Sequence, residues 1–422
     1  MVYTRPVLIL KDPELINRIL VKDFHYFNSR IEVDFTNDPL FGSLFIMNDE
    51  RWKIFRQKLS PIFAPNRLRD IFESIEMKYR GLEDFIAANK TDGTTLDFYS
   101  LIKRYLVDVM AAVLLGINVD YVNNPKDDVR FMSEEAIPPT GRTAFTLFFS
   151  YLAPGIKRKL HYNFFRKEVQ DFVVGLVESV MKFRDDNPTE RFDFLHKLME
   201  MRENGKTPKG FSIEVLSAQL LFIILAGYEA TGTAISFCLW ELARNPMVQA
   251  RAQEEVDRII AQHDGKFTLE ALKEMTYIDN CLSETLRLNS PLTFLIRICN
   301  EDYHCEKYNL VIEKNTTIIV PLPGLHRDEK YYVNANKFNP DRFLPEEKAK
   351  RPSGTYLPFG DGQRFCFGKQ LAKLINTYTV GSLLRRYTLK LVENSNGGDL
   401  KLKPMTPLLS PVGGSYLTLI ER

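Results

Sequence analysis

The sequence has few cysteines, little net charge and no apolar segment near its start. Five cysteines occur in 422 residues, and this odd, scattered set argues against a disulfide framework and for a reducing compartment. Lysine and arginine number 56 against 54 aspartates and glutamates, so the net charge gives no basis for nucleic-acid binding. No signal peptide and no apolar stretch of about 20 residues opens the chain.

Aromatic and apolar residues are abundant instead. The chain contains 30 phenylalanines and 18 tyrosines, enough for a large core or a roomy apolar pocket. Apolar residues that recur at intervals of three and four predict helices, at residues 68–88, 96–115, 129–135 and 169–183. Between the last two lies an unusually aromatic segment, which includes residues 145–149 and 162–165 and is typical of core or interhelix packing.

A long helix is predicted for residues 212–244, which contain no proline and few charges. Because residues 220–225 are apolar on every side, this helix is either buried in a core or crosses a bilayer. Glu229 near its middle, with Gln219 and Glu241, argues against a bilayer. At about 1.5 Å per residue the helix would be roughly 45 Å long. We therefore predict a central helix that passes through a large domain.

The most informative stretch is residues 359–368, which read Phe-Gly-Asp-Gly-Gln-Arg-Phe-Cys-Phe-Gly. Its three glycines predict a turn that adopts positive φ and lets another group approach the backbone closely. Cys366 lies at the start of a predicted helix, where the helix dipole and unpaired N–H groups favour the thiolate. A thiolate held in this way is a soft ligand for iron. The alternative is a buried core cysteine beside a turn.

This spacing resembles the haem-binding signature of the cytochrome P-450 family. The positions that match are Phe359, Gly362, Arg364, Cys366, Gly368 and Ala372. The resemblance implies a b-type haem with Cys366 as the axial ligand and Arg364 beside a haem propionate. It also implies a mainly α fold with a small β subdomain, a long central helix over the buried haem, and one catalytic domain over residues 1–422.

Further segments extend the resemblance to nearly the whole chain. Trp52 and Arg56, four apart on a helix, would alone indicate a surface contact, but they resemble the family's Trp-x-x-x-Arg helix. There the indole N–H and the guanidinium donate to a haem propionate. Arg297 matches another propionate-binding arginine of the family, and Arg30 is a further candidate.

Glu284 and Arg287 form a Glu-x-x-Arg pair that follows a mostly uncharged segment, so a buried ion pair is plausible, and it would need a further partner. In the family this pair and a downstream arginine, here Arg342, form a structural triad behind the haem. His326 resembles a structural histidine of the family, and we do not assign it as an iron ligand.

The middle of the long helix resembles the family's oxygen-activating segment, with one departure. The resemblance assigns Gly227 to close approach at the haem face and the acidic Glu229 to proton supply. Where the family has a threonine this chain has Ala230, and Thr231 follows about 100° further around the helix. Four interpretations stay open: weaker coupling, a relay through water or a substrate hydroxyl, loss of peroxide, or chemistry that needs no dioxygen.

The resemblance also predicts a substrate pocket, whose lining residues are Ala226, Leu292, Phe294, Leu408 and Leu409. It assigns the aromatic segment to a lid and a membrane-dipping surface, with packing as the alternative. Two hairpins are predicted from turn signals, one around Lys314 and Asn315 and one over residues 406–419.

The function implied is a monooxygenase that inserts one oxygen atom from O2 into a lipophilic small molecule. Electrons would come from NADPH through a cytochrome P-450 reductase, with cytochrome b5 as a second candidate donor. A cationic patch would receive the reductase, formed by Lys53, Lys58, Lys369 and Lys373. The resemblance is closest to animal microsomal members, which lie on the cytosolic face of the endoplasmic reticulum membrane.

Microsomal members carry an N-terminal anchor, a first helix and a first strand, and we expect these to be missing here. Two rival hypotheses remain. The first is a haem-thiolate isomerase or dehydratase that acts on a peroxide, which Ala230 motivates. The second is a fragment that cannot fold around haem.

Overall fold

A computed structural model describes residues 6–31, 38–89, 95–136, 163–189, 191–203, 211–392, 400–403 and 408–422. Helices dominate this structure and the strands are short, which confirms the predicted mainly α fold with a small β subdomain. The α-helices are α1 (Pro13–Asn17), α2 (Asp49–Leu59), α3 (Leu68–Asn89), α4 (Phe98–Met110), α5 (Lys167–Asp186), α6 (Phe194–Glu203), α7 (Ile213–Arg244), α8 (Pro246–Gln262), α9 (Leu269–Glu274), α10 (Thr276–Leu288), α11 (Leu322–His326), α12 (Pro345–Ala349) and α13 (Lys369–Arg386).

Helix α7 is the centre of the fold. It runs for 32 residues, and most of its side chains are buried because α4, α5, α8, α10 and α13 all pack against it. A helix enclosed in this way has no solvent face, which explains why its sequence is apolar on all sides. The same composition makes α7 long and apolar enough to cross a membrane, but its burial inside the described core confirms the prediction of a central helix.

The other predicted helices are confirmed in part. Helices α3 and α5 match the predictions for 68–88 and 169–183 within a few residues. The predicted helix 96–115 is divided, because Asp97 ends a short strand and its side chain caps α4 by accepting from the Tyr99 N–H at 3.1 Å. A π-helical turn, Ala111–Leu115, completes that segment.

The prediction of an α-helix at 129–135 is wrong. The chain there forms only a 3-10 turn, Asp128–Met132, with Asp127 capping its start, and Ser133 leaves helical geometry at φ −132° and ψ −103°. The aromatic residues 145–149 and Tyr162, predicted as packing or lid, lie outside the described residues.

The strands form three small sheets. They are β1 (Val7–Ile9), β2 (Thr95–Asp97), β3 (Phe294–Ile298), β4 (Tyr303–Cys305), β5 (Leu310–Ile312), β6 (Thr317–Pro321), β7 (Tyr387–Leu391) and β8 (Tyr416–Glu421). In the first sheet β6 lies between β1, which is parallel to it, and β3, which is antiparallel. In the second, β8 lies between β2 and β7. The third pairs β4 with β5.

Both predicted hairpins have the wrong partners. Around Asn315, a turn at φ 66° is present, but β5 before it pairs back onto β4 and β6 after it joins β1 and β3. In the predicted hairpin 406–419, residues 406 and 407 lie outside the described residues, Leu408 bridges Leu292, and β8 pairs with β2 and β7. Turn-forming residues correctly predicted where the chain reverses direction. Which strands then pair depends on packing between distant segments, and a local sequence pattern does not reveal that packing.

Candidate functional site

The segment before α13 folds into a tight loop that presents Cys366. The Cys366 N–H donates to the Phe359 carbonyl at 2.8 Å, and the Phe365 N–H donates to the Gly362 carbonyl at 3.0 Å. Gly362 has φ 68°, and a Cβ there would lie 1.8 Å from the Leu20 carbonyl oxygen, so only glycine fits. The predicted glycine turn is confirmed, and the group that approaches it closely is the Leu20 carbonyl, in a π-helical turn formed by Arg18–Lys22.

Cys366 is solvent-accessible although protein atoms surround its thiol. Desolvation by that surrounding raises the pKa of Cys366, while the Gly368 N–H and the cations of Arg56, Arg30 and Lys369 act in the opposite direction. Because the thiol is accessible although protein atoms surround it, we infer that Cys366 lines a cavity. The predicted preference for thiolate is therefore wrong for the thiol in the protein alone, because the desolvation outweighs the helix terminus and the cations.

Three predicted partners of the haem site meet at this loop. Arg364 is buried, its Nη2 donates to the Met47 carbonyl at 2.8 Å, and its guanidinium lies over the Trp52 ring at 4.2 Å. Arg56 Nη1 donates to the Phe365 carbonyl at 2.9 Å. Helix α2 thus brings Trp52 and Arg56 to the cysteine loop, as the four-residue spacing predicted.

Two more arginines face the same region. Arg30 Nη2 donates to the Arg364 carbonyl at 2.9 Å, and desolvation, with Arg297 nearby, holds the pKa of Arg30 well below its usual value. Arg297 is 3% exposed, and its Nε has no hydrogen-bond partner among the described residues. Desolvation and the adjacent Arg364 lower the pKa of Arg297 to about 9.

This arginine group lacks negative charge. Within the described ranges, no carboxylate forms a salt bridge with Arg30, Arg56 or Arg297. Arg297 is buried, whereas Arg30 and Arg56 are partly accessible. A buried cation without a counter-charge is unfavourable, so the arrangement is suited to an anionic group that enters the cavity.

One face of α7 is accessible beside the arginine group. Ala226 is exposed, and Phe222 and Ala230, one turn before and after it, are partly accessible. Phe222 stacks on Phe45 with ring centroids 5.4 Å apart, and the Arg30 guanidinium lies over Phe45 at 4.2 Å. These contacts connect α7 to the cysteine loop and place Ala230 on the cavity side.

Thr231 does not replace the missing hydroxyl. It is buried, at 4% exposure, on a part of α7 that is turned away from the accessible residues. The helical rotation of about 100° per residue therefore leaves the cavity face of α7 without a hydroxyl at this level.

Two other residues of this segment have neighbours that differ from the prediction. Glu229 is buried against α4, where Oε1 accepts from the Tyr99 hydroxyl at 3.0 Å and Oε2 lies 2.6 Å from Lys103 Nζ. A Cβ on Gly227 would lie 2.7 Å from Met110 Sδ. The prediction placed the haem against Gly227 and pointed Glu229 toward the haem. In the structure, residues of α4 contact both: Met110 packs at Gly227, and Tyr99 and Lys103 bind Glu229.

The Glu-x-x-Arg pair is fully buried. Glu284 and Arg287 are both 0% exposed, with Oε2 to Nε at 2.6 Å and Oε1 to Nη2 at 2.8 Å. The Arg342 Nε and the Asn339 N–H also donate to Glu284 Oε1, at 3.2 Å and 2.9 Å. The predicted three-residue network is present, and its complete hydrogen bonding indicates a structural element.

His326 is committed to the fold. Its Nε2 accepts from the Leu357 N–H at 2.9 Å, and its own carbonyl accepts from Arg287 Nη1 at 2.7 Å. Desolvation, with the charge of Arg287, lowers the pKa of His326 to about 3. With this nitrogen occupied and the side chain 0% exposed, His326 is unsuited to bind iron, in agreement with the prediction.

Comparison with known proteins decides the family. The family model described as "Cytochrome P450" matches residues 1–417. The chain belongs to the cytochrome P450 family. Its curated relatives include insect proteins, so the predicted animal microsomal type is confirmed. This P450 is therefore an oxidoreductase of the monooxygenase class, and its family uses haem with a cysteine thiolate ligand and electrons from a reductase.

Three relatives show how far the similarity extends. Cytochrome P450 6B6 of Helicoverpa armigera is 30% identical over 99% of this chain and 84% of that protein. Cytochrome P450 6a2 of Drosophila melanogaster is 31% identical over 99% of this chain and 85% of that protein. Cytochrome P450 9e2 of Blattella germanica is 33% identical over 100% of this chain and 84% of that protein.

The residues of this P450 fit a haem. An accessible thiol faces the cavity, and in the part of the chain that the structure describes the arginines around it have no carboxylate partner and the buried Nε of Arg297 has no acceptor. A porphyrin with two propionates presents an iron for the thiol and two carboxylates for the guanidinium groups. Gly368 precedes α13, and a Cβ there would lie 3.9 Å from Cys366 Sγ, within contact distance of the sulfur.

Three of the predicted pocket residues of the P450, Leu292, Leu408 and Leu409, lie together beside α7. Leu292 bridges Leu408, and the Leu409 N–H donates to the Pro291 carbonyl at 2.7 Å. Phe294 begins β3 and is 39% exposed. The Leu409 carbonyl accepts from the Thr233 hydroxyl at 3.1 Å, so α7 holds this segment in place.

Sequence reasoning missed three residues of this site. Phe45 and Phe222 form the aromatic wall between α7 and Arg30, and Lys103 pairs with Glu229. The signal for Phe222 was its position four residues before Ala226. No local signal identified Phe45 or Lys103, because their partners are distant in the chain.

Proposed function

We propose that this P450 binds haem through Cys366 and inserts one oxygen atom from O2 into a lipophilic small molecule. The observation that carries the proposal is the accessible thiol in a cavity shared with Arg30, Arg56 and Arg297. The bound haem supplies the oxygen-activating redox chemistry, and the protein supplies binding, orientation and water exclusion. The whole chain, residues 1–422, would act as one catalytic unit.

Cys366 would ligate the iron as a thiolate. Metal coordination deprotonates a thiol whose pKa is otherwise raised, so the desolvation that disfavours a free thiolate does not prevent ligation. The Gly368 N–H and the nearby guanidinium of Arg56 stabilise negative charge on the sulfur. The loop hydrogen bonds at Phe359 and Gly362 hold the sulfur at one position.

The arginine group and Trp52 would hold the propionates. Arg297 contributes its orphaned Nε, and Arg30 and Arg56 contribute guanidinium groups that no carboxylate neutralises in the described structure. Charge-assisted hydrogen bonds to carboxylates are among the stronger contacts available to a protein. Phe359 and Ala372, with the glycines of the loop, would contact the macrocycle from the cysteine side.

The substrate would be apolar. The accessible surface contributed by Phe45, Phe222 and Phe294, with the leucines at 292, 408 and 409, offers mainly hydrocarbon contact. Burial of a substrate against these side chains gains roughly 25 cal/mol per Å². Because this term does not depend on direction, the pocket selects for apolar character more strongly than for one functional group.

Electrons would arrive at the face that carries α2 and the start of α13. Lys53 is paired with Glu50 at 2.7 Å and Lys373 with Asp279 at 2.9 Å. Of the four predicted lysines, Lys58 and Lys369 are the exposed ones without a salt bridge in the described ranges. An NADPH-dependent P450 reductase is the proposed donor, with cytochrome b5 as a second, and the endoplasmic reticulum membrane is the proposed location.

A second candidate function rests on Ala230. The cavity face of α7 lacks the relay hydroxyl and Glu229 is held by α4, so rearrangement or dehydration of a peroxide, which needs no external protons or electrons, stays open. Such an enzyme would consume a hydroperoxide in the absence of NADPH and reductase.

One assay separates the two functions. The purified protein is reconstituted with reductase and a panel of lipophilic substrates, with and without NADPH. The proposal predicts oxygenated product that requires both NADPH and reductase and is lost in the Cys366→Ser variant. Product that forms from a hydroperoxide alone, at the same rate without NADPH, would favour the second function.

A further inference from the structure

A buried polar cluster lies where α4 crosses α7, beside the cavity. Lys103 Nζ is 2.6 Å from Glu229 Oε2 and lies 5.0 Å from the ring centroids of both Tyr99 and Tyr228. The side chains of Lys103 and Glu229 are 14% and 8% exposed. The Tyr99 hydroxyl donates to the second oxygen of Glu229 at 3.0 Å. Residues of α4 thus contact the carboxylate at both oxygens, through a hydrogen bond at Oε1 and an ion pair at Oε2.

We propose that Lys103 is a positioning residue that holds Glu229 against α4 and so withholds this acid from proton transfer in the cavity. The consequence for turnover rests on the proposed function, but the placement of the carboxylate does not. Glu229 stands one residue before Ala230 and three after Ala226, so its backbone lies beside the cavity face of α7. The Glu229 side chain points away from that cavity because Lys103 and Tyr99 bind its carboxylate on the α4 side.

Gly232 makes the contact possible. A Cβ at this position would lie 2.9 Å from Lys103 Cγ and 3.4 Å from Leu106 Cδ1. The stem of Lys103 therefore crosses α7 where α7 has no side chain, and its ammonium reaches Glu229 one turn earlier. The same close packing recurs at Gly227, which Met110 of α4 contacts. Two glycines of α7 thus let α4 come close enough for Lys103 to reach the acid.

The surroundings of the cluster stabilise the ion pair between Lys103 and Glu229. The ammonium lies near two aromatic rings, an arrangement that favours a cation where water is scarce. Among the described residues, the titratable groups that face Glu229 are Tyr99, Lys103 and Tyr228. Of these described groups only Lys103 is a cation, so loss of its charge would leave the carboxylate buried without a counter-charge. Such a carboxylate takes up a proton.

Lys103→Met tests the proposal, because it removes the ammonium and keeps an apolar side chain of similar length beside Gly232. In the resting, haem-loaded protein we expect an infrared C=O band of a protonated carboxyl in addition to any band that Glu241 gives in the wild type. The double variant Lys103→Met/Glu229→Gln should lose the additional band, which assigns it to Glu229. During turnover, the product formed per NADPH consumed should rise at least about twofold. This rise is smaller than the rate increase that a positioned acid gives to a proton transfer. Lys126→Met, at an exposed loop lysine, is the matched control and should change neither readout.

Two results would overturn the proposal: no additional carboxyl band in Lys103→Met relative to the wild type, or an additional band with product per NADPH equal to that of the wild type. If Lys103→Met does not fold, Gly232→Ala displaces the lysine stem and is held to the same outcomes. If neither the wild type nor any variant forms product, the proposed function fails. The infrared comparison then decides by itself whether Lys103 holds the carboxylate.

Discussion

Replacement of Glu241 by glutamine should stabilise the protein at high pH but not at low pH. Glu241 lies near the end of α7, is 5% exposed, and accepts from Asn289 Nδ2 at 3.3 Å. Burial raises its pKa from 4.5 to about 7, although Arg244 and Asn289 act in the opposite direction. Glutamine keeps the size of the side chain and an oxygen for Asn289, and it removes the ionisable group.

The sign follows from proton linkage. Between the two pKa values the folded state binds more protons than the unfolded state, so the free energy of unfolding falls as the pH rises. A shift from 4.5 to about 7 corresponds to about 3 kcal/mol. Below pH 4.5 both states are protonated and this destabilisation is absent. Above about pH 7 both are ionised and the destabilisation is complete.

The assay is urea unfolding of wild type and Glu241→Gln at pH 4.5 and pH 8, followed by tryptophan fluorescence. We expect the variant to gain about 3 kcal/mol relative to wild type at the higher pH and much less at the lower pH. Glu254→Gln, an exposed residue of α8, is the control and should shift neither midpoint. A Glu241→Gln gain of equal size at both pH values would refute the argument, because it would show a packing effect and not an ionisation.

Three further predictions concern the site. Ala230→Thr restores a hydroxyl on the cavity face of α7 and should raise the product formed per NADPH consumed; an unchanged or lower ratio counts against the relay argument. Glu284→Gln leaves the buried Arg287 without its counter-charge, so it should cost about 3–5 kcal/mol of unfolding free energy and lower the haem content of purified protein; full stability would contradict a structural role. Arg297→Met removes an uncompensated buried cation, so it should raise the urea midpoint of haem-free protein while it speeds haem transfer to an acceptor apoprotein. Slower or unchanged haem loss would contradict the propionate assignment.

Local patterns predicted the elements on which the site is built. The glycine turn at 359–368, the long apolar helix and the Trp52–Arg56 spacing each depend on residues close in sequence, so their geometry could be predicted. The Glu284–Arg287 ion pair is also local, and the uncharged segment before it indicated burial correctly. These predictions were successful because backbone sterics and helical periodicity decide them within one or two turns.

Other features depend on contacts between distant segments. The pairing of β5 with β4, and of β6 with β1 and β3, is decided by how the sheets pack and not by the turn at Asn315. Lys103 meets Glu229 across more than one hundred residues, and only the structure shows that α4 and not the cavity receives the acid. The pKa of Cys366 was predicted in the wrong direction because the dipole argument omitted desolvation, which depends on the whole surrounding fold.

The most direct test of Cys366 as the haem ligand is the absorption spectrum of the reduced protein with and without carbon monoxide. A haem held by the Cys366 thiolate should give a strongly red-shifted Soret band with carbon monoxide, and the Cys366→Ser variant should lose that band. A band at the position of histidine-ligated or thiol-ligated haem, or no haem band in folded protein, would contradict the claim that Cys366 is the thiolate ligand of a haem in this cavity.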